Sequence, residues 1–249
     1  MFNHKEDLQP WQKKKIQEEE EEIRNQPLLV VGGTGRTGRL LVRKLSARGY
    51  SIRLLTRNPK KAQMYFKKTF PAFSGNLNNV DTLIKAVRGV RAVLCTAGSP
   101  HYGGPDGPKY VDYLGVANLV EVSREFQVGH FVLVSSLGVT KPFHSLNLFG
   151  KVLKWKRKGE EALLASGLSY TIVRPGGLLD DQGGFSELVF SQGDRVDGMI
   201  SREDVAEVCI QSLWQPGARN ITFEVVGTDE PRVSDWETLF GSLAEDAPQ

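Results

Sequence analysis

The sequence predicts one α/β domain, built on a doubly wound parallel sheet with a small irregular cap. Short apolar runs of strand length alternate with segments of helical periodicity, and only a few residues connect them. A glycine cluster stands between the first apolar run and the first helical segment. Such alternation is typical of successive right-handed βαβ units, which place helices on both faces of a parallel sheet.

Strands are predicted where apolar runs of four to six residues are bounded by glycine, proline or polar residues. In chain order these runs are Leu28–Val31, Ser51–Thr56, Ala72–Gly75, Ala92–Ala97, His130–Ser135, Ser169–Val173 and Ile221–Val226.

Helices are predicted where apolar residues recur at spacings of three and four. Leu40, Leu41 and Leu45 mark the first helix. The others are Lys60–Lys67, Val80–Val87, Tyr110–Phe126, Val152–Ala165, Ser201–Trp214 and Trp236–Leu243.

Two stretches without either periodicity predict loops, Ser99–Pro108 and Pro175–Gly184. The cap is expected from residues 141–150 and 175–200. The polar residues 1–26 carry a basic and an acidic run and no apolar stripe, which predicts a charged flexible or helical tail before a domain of residues 27–249.

Composition excludes several classes of function. A formal net charge of +3 is too small to indicate a nucleic-acid partner. No stretch approaches the roughly 18 apolar residues of a membrane span, so a soluble protein is expected. Its compartment stays open, with the cytoplasm and the plastid stroma as the two alternatives. The two cysteines, Cys95 and Cys209, and the few histidines lack metal-ligand spacing, so no metal site is expected.

The glycine cluster follows the first strand directly, where a helix begins. Glycine permits a tight turn and lets backbone N–H groups approach a pyrophosphate that a side chain would exclude. In this strand–turn–helix context the cluster predicts a dinucleotide site. Its residues are Gly32, Gly33, Thr34, Gly35, Arg36, Thr37 and Gly38.

The charges after this cluster favour NADP. Sites for NAD usually carry an acid about 20 residues on, which binds the ribose 2′-OH, but no Asp or Glu occurs between Gly32 and Val80. Arg57 at the end of the second strand is the main candidate to bind a 2′-phosphate, because a guanidinium fork matches that group. Lys60 and Lys61 either assist it or form the wet face of a helix.

Five motifs in order resemble the atypical short-chain dehydrogenase/reductase family, in its NmrA-like branch of small plant and algal NAD(P)-binding proteins. The resemblance implies a Rossmann-type fold, bound NADP(H), and a substrate cleft above the carboxyl ends of the strands. The motifs are VVGGTGRTG (Val30–Gly38), VLVSSLG (Val132–Gly138), WKRKGE (Trp155–Glu160), YTIVRPGGLL (Tyr170–Leu179) and SREDVAEVCI (Ser201–Ile210).

Carried over by position, the family's active-site serine falls on Ser136 and its lysine on Lys158. The family's tyrosine, four residues before that lysine, is replaced by Lys154, and no tyrosine of this chain has a lysine four residues later. Three replacements are open: Lys154, Tyr102, or transfer through water. The alternative for Lys154 is that it is one more charge on a solvated helix face. The alternative for Ser136 is that it only caps the end of a strand.

The remaining expected contacts concern the rest of the cofactor. The resemblance places Pro175 and Gly176 at the nicotinamide amide. Thr96, Ala97 and Gly98 end the fourth strand, where small residues permit close approach to the adenosine half. Asn76, next to Leu77, either contacts the adenine or forms a turn.

Two functions remain open. One is an NADP-dependent oxidoreductase that transfers hydride to a small carbonyl, enone, quinone-like or tetrapyrrole-like substrate. The other is a non-catalytic NADP(H)-sensing or scaffold protein with a regulated protein partner, which the absent tyrosine permits. The fold by itself supports both.

Overall fold

The computed structural model describes residues 25–66, 70–141, 143, 145–148 and 150–247. The predicted tail, residues 1–26, therefore lies almost wholly outside the described residues.

An eight-stranded sheet forms the centre of the protein, in the order β3-β2-β1-β4-β5-β6-β10-β8. Seven of its strands are parallel, and only β8 runs antiparallel, beside β10. This confirms the predicted doubly wound sheet. The strands are β1 (Leu28–Val31), β2 (Ile52–Thr56), β3 (Ala72–Ser74), β4 (Ala92–Cys95), β5 (His130–Val134), β6 (Tyr170–Pro175), β8 (Ser186–Ser191) and β10 (Ile221–Pro231).

Helices cover both faces of this sheet. A π-helical segment, Lys109–Gly115, leads directly into α4, and single 3₁₀ turns occur at Ser145–Asn147 and Pro216–Ala218. The helices are α1 (Arg36–Ala47), α2 (Pro59–Tyr65), α3 (Val80–Val87), α4 (Val116–Glu125), α5 (Val152–Leu164), α6 (Arg202–Gln211) and α7 (Trp236–Gly241).

Residues 175–200 are more regular than predicted. The expected loop after Pro175 contains strand β7 (Gly177–Leu179), which pairs in parallel with β9 (Met199–Ser201) as a separate two-stranded sheet. Strand β8 extends the central sheet, so part of the segment expected to form the cap has regular structure. Strands β7 and β9 have three residues each and pair with residues 22 positions away, so a sequence window contains little periodicity to detect.

The core has two layers because the buried strands alternate sides. Val30 packs on one face with Leu41 and Val42 of α1, among others. Val31 packs on the opposite face, in the cluster that contains Leu83 of α3. Each such fully buried side chain contributes about 1.5–3 kcal/mol, so both layers of helices hold the strand ends in place.

Candidate functional site

A cleft of about 600 Å³ opens at the carboxyl ends of β1, β2 and β4. The strand order reverses direction at β1, and ligands of open α/β sheets bind in the crevice at such a switch point. Nine of the residues expected at the cofactor line this cleft: Gly32, Thr34, Gly35, Arg57, Asn76, Leu77, Thr96, Ala97 and Gly98.

The glycines of the turn have different structural roles. Gly32 has φ +82°, and a Cβ on it would lie 2.7 Å from the backbone nitrogen of Ala97. A Cβ on Gly33 would press on core side chains, and one on Gly38 would collide with the carbonyl oxygen of Gly32. Gly32 and Gly35 both line the cleft, but Gly35 has an ordinary backbone conformation, with φ −76°. A side chain at Gly35 would therefore occupy the cleft.

The first turn of α1 offers hydrogen-bond donors at the cleft. Gly35 precedes the helix, and no side chain accepts from the helix N-terminus. The first turn also contains no acidic residue. Uncapped N–H groups and the positive end of the helix dipole favour an anion at this position.

Arg57 directly follows β2 and forms an ion pair with Asp106, with 3.1 Å between Nη1 and Oδ1. Both residues line the cleft, together with Lys61. The sequence pattern gives no indication of Asp106, because this acid lies beyond the acid-free span from Gly32 to Val80. The loop after β4 brings this carboxylate across the sheet to the end of β2.

Asn76 forms a turn, since its side-chain oxygen accepts from the backbone N–H of Asn78 at 2.9 Å. Of the two alternatives for Asn76, the structure therefore shows the turn, and it leaves this residue on the cleft wall. Thr96 donates its hydroxyl to the carbonyl of Val31 at 3.1 Å and ties β4 to β1 at the base of the cleft.

Several residues expected at the cofactor are not among those that line this cleft. Arg36 forms an ion pair with Asp180 and lines a different surface hollow, while Thr37 and Gly38 lie in the first turn of α1 and are not among the residues that line the cleft. The N–H of Gly176 donates to Val225 and the carbonyl of Pro175 accepts from Leu137, each at 2.9 Å. Two backbone groups of the segment expected at the nicotinamide are thus already hydrogen-bonded within the protein.

The basic segment of α5 presents its lysines to different surroundings. Lys158 is exposed and pairs with Glu161 at 2.6 Å, which raises the pKa of its ammonium. Lys154 is exposed too, with its Nζ 5.3 Å from the ring centre of Trp155. Neither of them is among the residues that line the cleft.

Lys156 is the lysine of this segment that faces the sheet. Its side chain is 16% exposed, and its Nζ lies 2.9 Å from Oδ1 of Asp112 in the π-helical segment. A Cβ on Gly98, at the edge of the cleft, would be 3.8 Å from that Nζ. Burial opposes the charge, but the Asp112 carboxylate outweighs it and raises the pKa of Lys156.

A sequence signal for Lys156 existed. Leu153, Glu160 and Leu163 are the buried side chains of α5, and Lys156 lies one turn from the first two of them. The helical period thus places Lys156 on the inward face and Lys158 on the outward one.

No tyrosine accompanies this lysine at the expected distance, because Val152 stands four residues before Lys156. Tyr113 stacks on Trp155 with ring centres 6.0 Å apart. Tyr102 is 67% exposed on the loop after β4. The sequence of α5 contains no tyrosine.

Two serines follow β5. Ser136 donates its hydroxyl to the carbonyl of Leu137 at 3.0 Å. Ser135 is buried, and its hydroxyl has no hydrogen-bond partner within the described residues. By strand alternation Ser135 continues the face of Phe131 and Leu133, which also carries Cys95 at the end of β4.

A buried ionic network fixes α5 to the sheet. Arg174 of β6 donates to both carboxylate oxygens of Glu160, at 3.0 and 2.8 Å, and to Glu224 of β10 at 3.0 Å. Burial opposes the Arg174 charge, and the two carboxylates more than offset this and raise its pKa. Because Glu160 lies one helical turn after Lys156, the network also sets the position of Lys156 over the strand ends.

The described part of the chain contains no group of His, Cys, Asp and Glu that could hold a metal ion. None of its helices has the length and apolar character that crossing a membrane requires.

The fold and the cleft define a dinucleotide-binding α/β protein. A model of the NAD(P)H-binding family matches residues 32–216, which is more than half of the chain. The chain belongs to this NAD(P)H-binding family, as an atypical short-chain dehydrogenase/reductase of the NmrA-like type.

Known proteins agree with this assignment. Sanguinarine reductase from Eschscholzia californica is 30% identical over 261 residues, covering 87% of this chain and 95% of the reductase. An uncharacterized chloroplastic protein from Arabidopsis thaliana is 34% identical over 242 residues, covering 86% of this chain and 74% of the relative. A solved structure from Bacillus halodurans, named as a candidate NAD-dependent epimerase/dehydratase, is 27% identical with a TM-score of 0.77, covering 88% of this chain and all of that one (100%).

Proposed function

We propose that this protein is an NADPH-dependent reductase that transfers hydride to a carbonyl, enone or quinone-like acceptor. The observation that carries the proposal is the cleft itself, which has an uncapped helix N-terminus beside Gly35, Arg57 on its rim and Lys156 beyond Gly98. The sanguinarine reductase relative supports a reductase rather than another use of the same fold.

The residues present fit the cofactor. The N-terminus of α1 would take the pyrophosphate, because Gly35 leaves the space that a Cβ would fill. Arg57 and Lys61 would take the 2′-phosphate of the adenosine ribose, and Thr96 with Ala97 would lie along the adenosine half. Lys156 replaces Lys158 in our proposal for the nicotinamide side.

Bound NADPH supplies the hydride, and the protein must bind and polarise the acceptor. The ammonium of Lys156, which Asp112 keeps charged, would stabilise negative charge that develops on the acceptor oxygen. Ser135 and Ser136 follow β5, and their hydroxyls are our candidates to donate a hydrogen bond to the acceptor. Without a tyrosine in α5, the proton would reach the product oxygen through these groups or water.

A second function is an NADP(H) sensor that regulates a partner protein. The observation in its favour is Val152, which leaves Lys156 without the usual phenol. The two functions differ in one readout, since a sensor binds NADPH and does not oxidise it with any acceptor.

Substitution of the two lysines tests the reductase. Lys156→Met should lower the turnover number by roughly a hundredfold or more, the usual contribution of a positioned acid or base, and Lys158→Met should leave it nearly unchanged. Lys156→Arg, which keeps the charge beside Asp112, controls for loss of folding. The measurement is NADPH oxidation with a panel of carbonyl, enone and quinone acceptors.

Turnover that survives in Lys156→Met and is lost in Lys158→Met would contradict our assignment of the lysine. If the unaltered protein binds NADPH and oxidises it with no acceptor, the sensor replaces the reductase.

We also propose a plastid location, which the chloroplastic Arabidopsis relative supports. Imaging of the full chain fused to a fluorescent protein tests it.

A further inference from the structure

We infer that Asp106 determines how strongly the cleft distinguishes a phosphorylated from an unphosphorylated adenosine ribose, by competing with the phosphate for Arg57. This rests on the proposed function, which places the 2′-phosphate at Arg57. The carboxylate lies 3.1 Å from the guanidinium, and both side chains line the same cleft.

The loop that carries Asp106 is held independently of this carboxylate. The hydroxyl of Ser99 donates to the backbone carbonyl of Asp106 at 2.6 Å, and the backbone N–H of Ser99 donates to Asp112 at 3.1 Å. The carboxylate can therefore release Arg57 while the loop stays in place, and replacing this side chain removes none of these anchors.

The ion pair is accessible and weak enough to exchange. The side chains of Arg57 and Asp106 are 54% and 46% exposed, so water screens their attraction. A phosphate near its second pKa carries more charge than a carboxylate and offers three acceptor oxygens to the guanidinium. The phosphate thus displaces Asp106 from Arg57. Two effects weaken its binding: the ion pair between Arg57 and Asp106 must break, and the Asp106 carboxylate then repels the phosphate.

An unphosphorylated ribose does not compete with Asp106 for Arg57. The pair with Asp106 then persists, and its strength does not enter the binding equilibrium. Asp106 consequently lowers affinity for the phosphorylated ligand alone, and it holds the preference for NADPH below what Arg57 and Lys61 would otherwise provide.

The experiment titrates the full-length protein with 2′,5′-ADP and with 5′-AMP, which differ only in the 2′-phosphate, and follows binding by calorimetry. Asp106→Asn should tighten 2′,5′-ADP about three- to tenfold, from an exposed ion pair and a like-charge repulsion together, and leave 5′-AMP unchanged. Asp229→Asn, at an exposed position on β10, makes the same change in net charge and should alter neither affinity.

Arg57→Gln completes a double-mutant cycle. In that background Asp106→Asn should lose most of its effect, because no guanidinium remains for which carboxylate and phosphate compete.

Equal 2′,5′-ADP affinity in the unaltered protein and Asp106→Asn would overturn the inference while the proposed function stands. Weaker 5′-AMP binding in Asp106→Asn would overturn it too, because Asp106 would then bind the ribose 2′-OH. If the unaltered protein binds neither nucleotide, the proposed function fails and this inference with it.

Discussion

Gly35→Val should abolish binding of NADPH without unfolding the protein. Gly35 has φ −76° and ψ 175°, which valine adopts without strain, and its Cβ would meet only the carbonyl oxygen of Gly32, at 3.1 Å, within the protein. The rest of the side chain would enter the space at the helix N-terminus that the pyrophosphate needs. We expect the dissociation constant to rise by roughly a hundredfold or more, about 2.7 kcal/mol, in a calorimetric titration.

Gly241→Val is the matched control, because a Cβ at Gly241 meets nothing within 4 Å. It should bind NADPH as the unaltered protein does, and both variants should keep an α/β circular-dichroism spectrum. Gly38→Val is a poorer probe, since its Cβ would collide with the Gly32 carbonyl and disturb the turn itself. NADPH affinity that survives in Gly35→Val would show that the glycine turn has a structural role only.

Arg174→Met should be the most destabilising single substitution that we predict. It would leave the carboxylates of Glu160 and Glu224, which are 1% and 0% exposed, without their cation. Removing one partner of a buried ion pair costs about 3–5 kcal/mol. For a domain of this size the thermal midpoint should fall by roughly 6–20 °C, measured by circular dichroism or calorimetry.

Two further variants separate this explanation from a general loss of packing. Arg174→Met combined with Glu160→Leu and Glu224→Leu should recover most of the lost stability, since apolar groups replace the whole network. Arg124→Met removes an exposed arginine paired with Glu121 and should leave the midpoint unchanged. A shift as small for Arg174→Met as for Arg124→Met would mean that the network does not stabilise the fold.

The sheet and the glycine turn were predictable because their signals are local. Leu28–Val31 is an apolar run that ends at Gly32, and a helix pattern starts within a few residues of it. Strands β7 and β9 were missed because each has three residues, and β7 exists only through pairing with a partner far along the chain. Their stability comes from tertiary contacts that a sequence window does not contain.

The site was only partly predictable, for two different reasons. Three basic residues occur in a row at Lys156–Lys158, and the family motif assigns the active-site lysine to Lys158, which faces outward. The buried residues of α5 recur at a spacing that instead places Lys156 on the inward face. Asp106 gave no such signal. Its meeting with Arg57 depends on the path of the loop after β4, which the glycines and prolines of Ser99–Pro108 leave undetermined.

The most direct test of the central claim is calorimetric titration of the unaltered protein with NADPH and with NADH at the same moderate salt concentration. The name of the Bacillus halodurans structure refers to NAD and therefore does not support a preference for NADPH. We expect that preference only because Arg57 follows β2 and because no acid occurs between Gly32 and Val80. We expect NADPH to bind roughly ten- to hundredfold more tightly, from charge-assisted hydrogen bonds of about 1.5–3 kcal/mol. Equal dissociation constants, or tighter binding of NADH, would contradict the account.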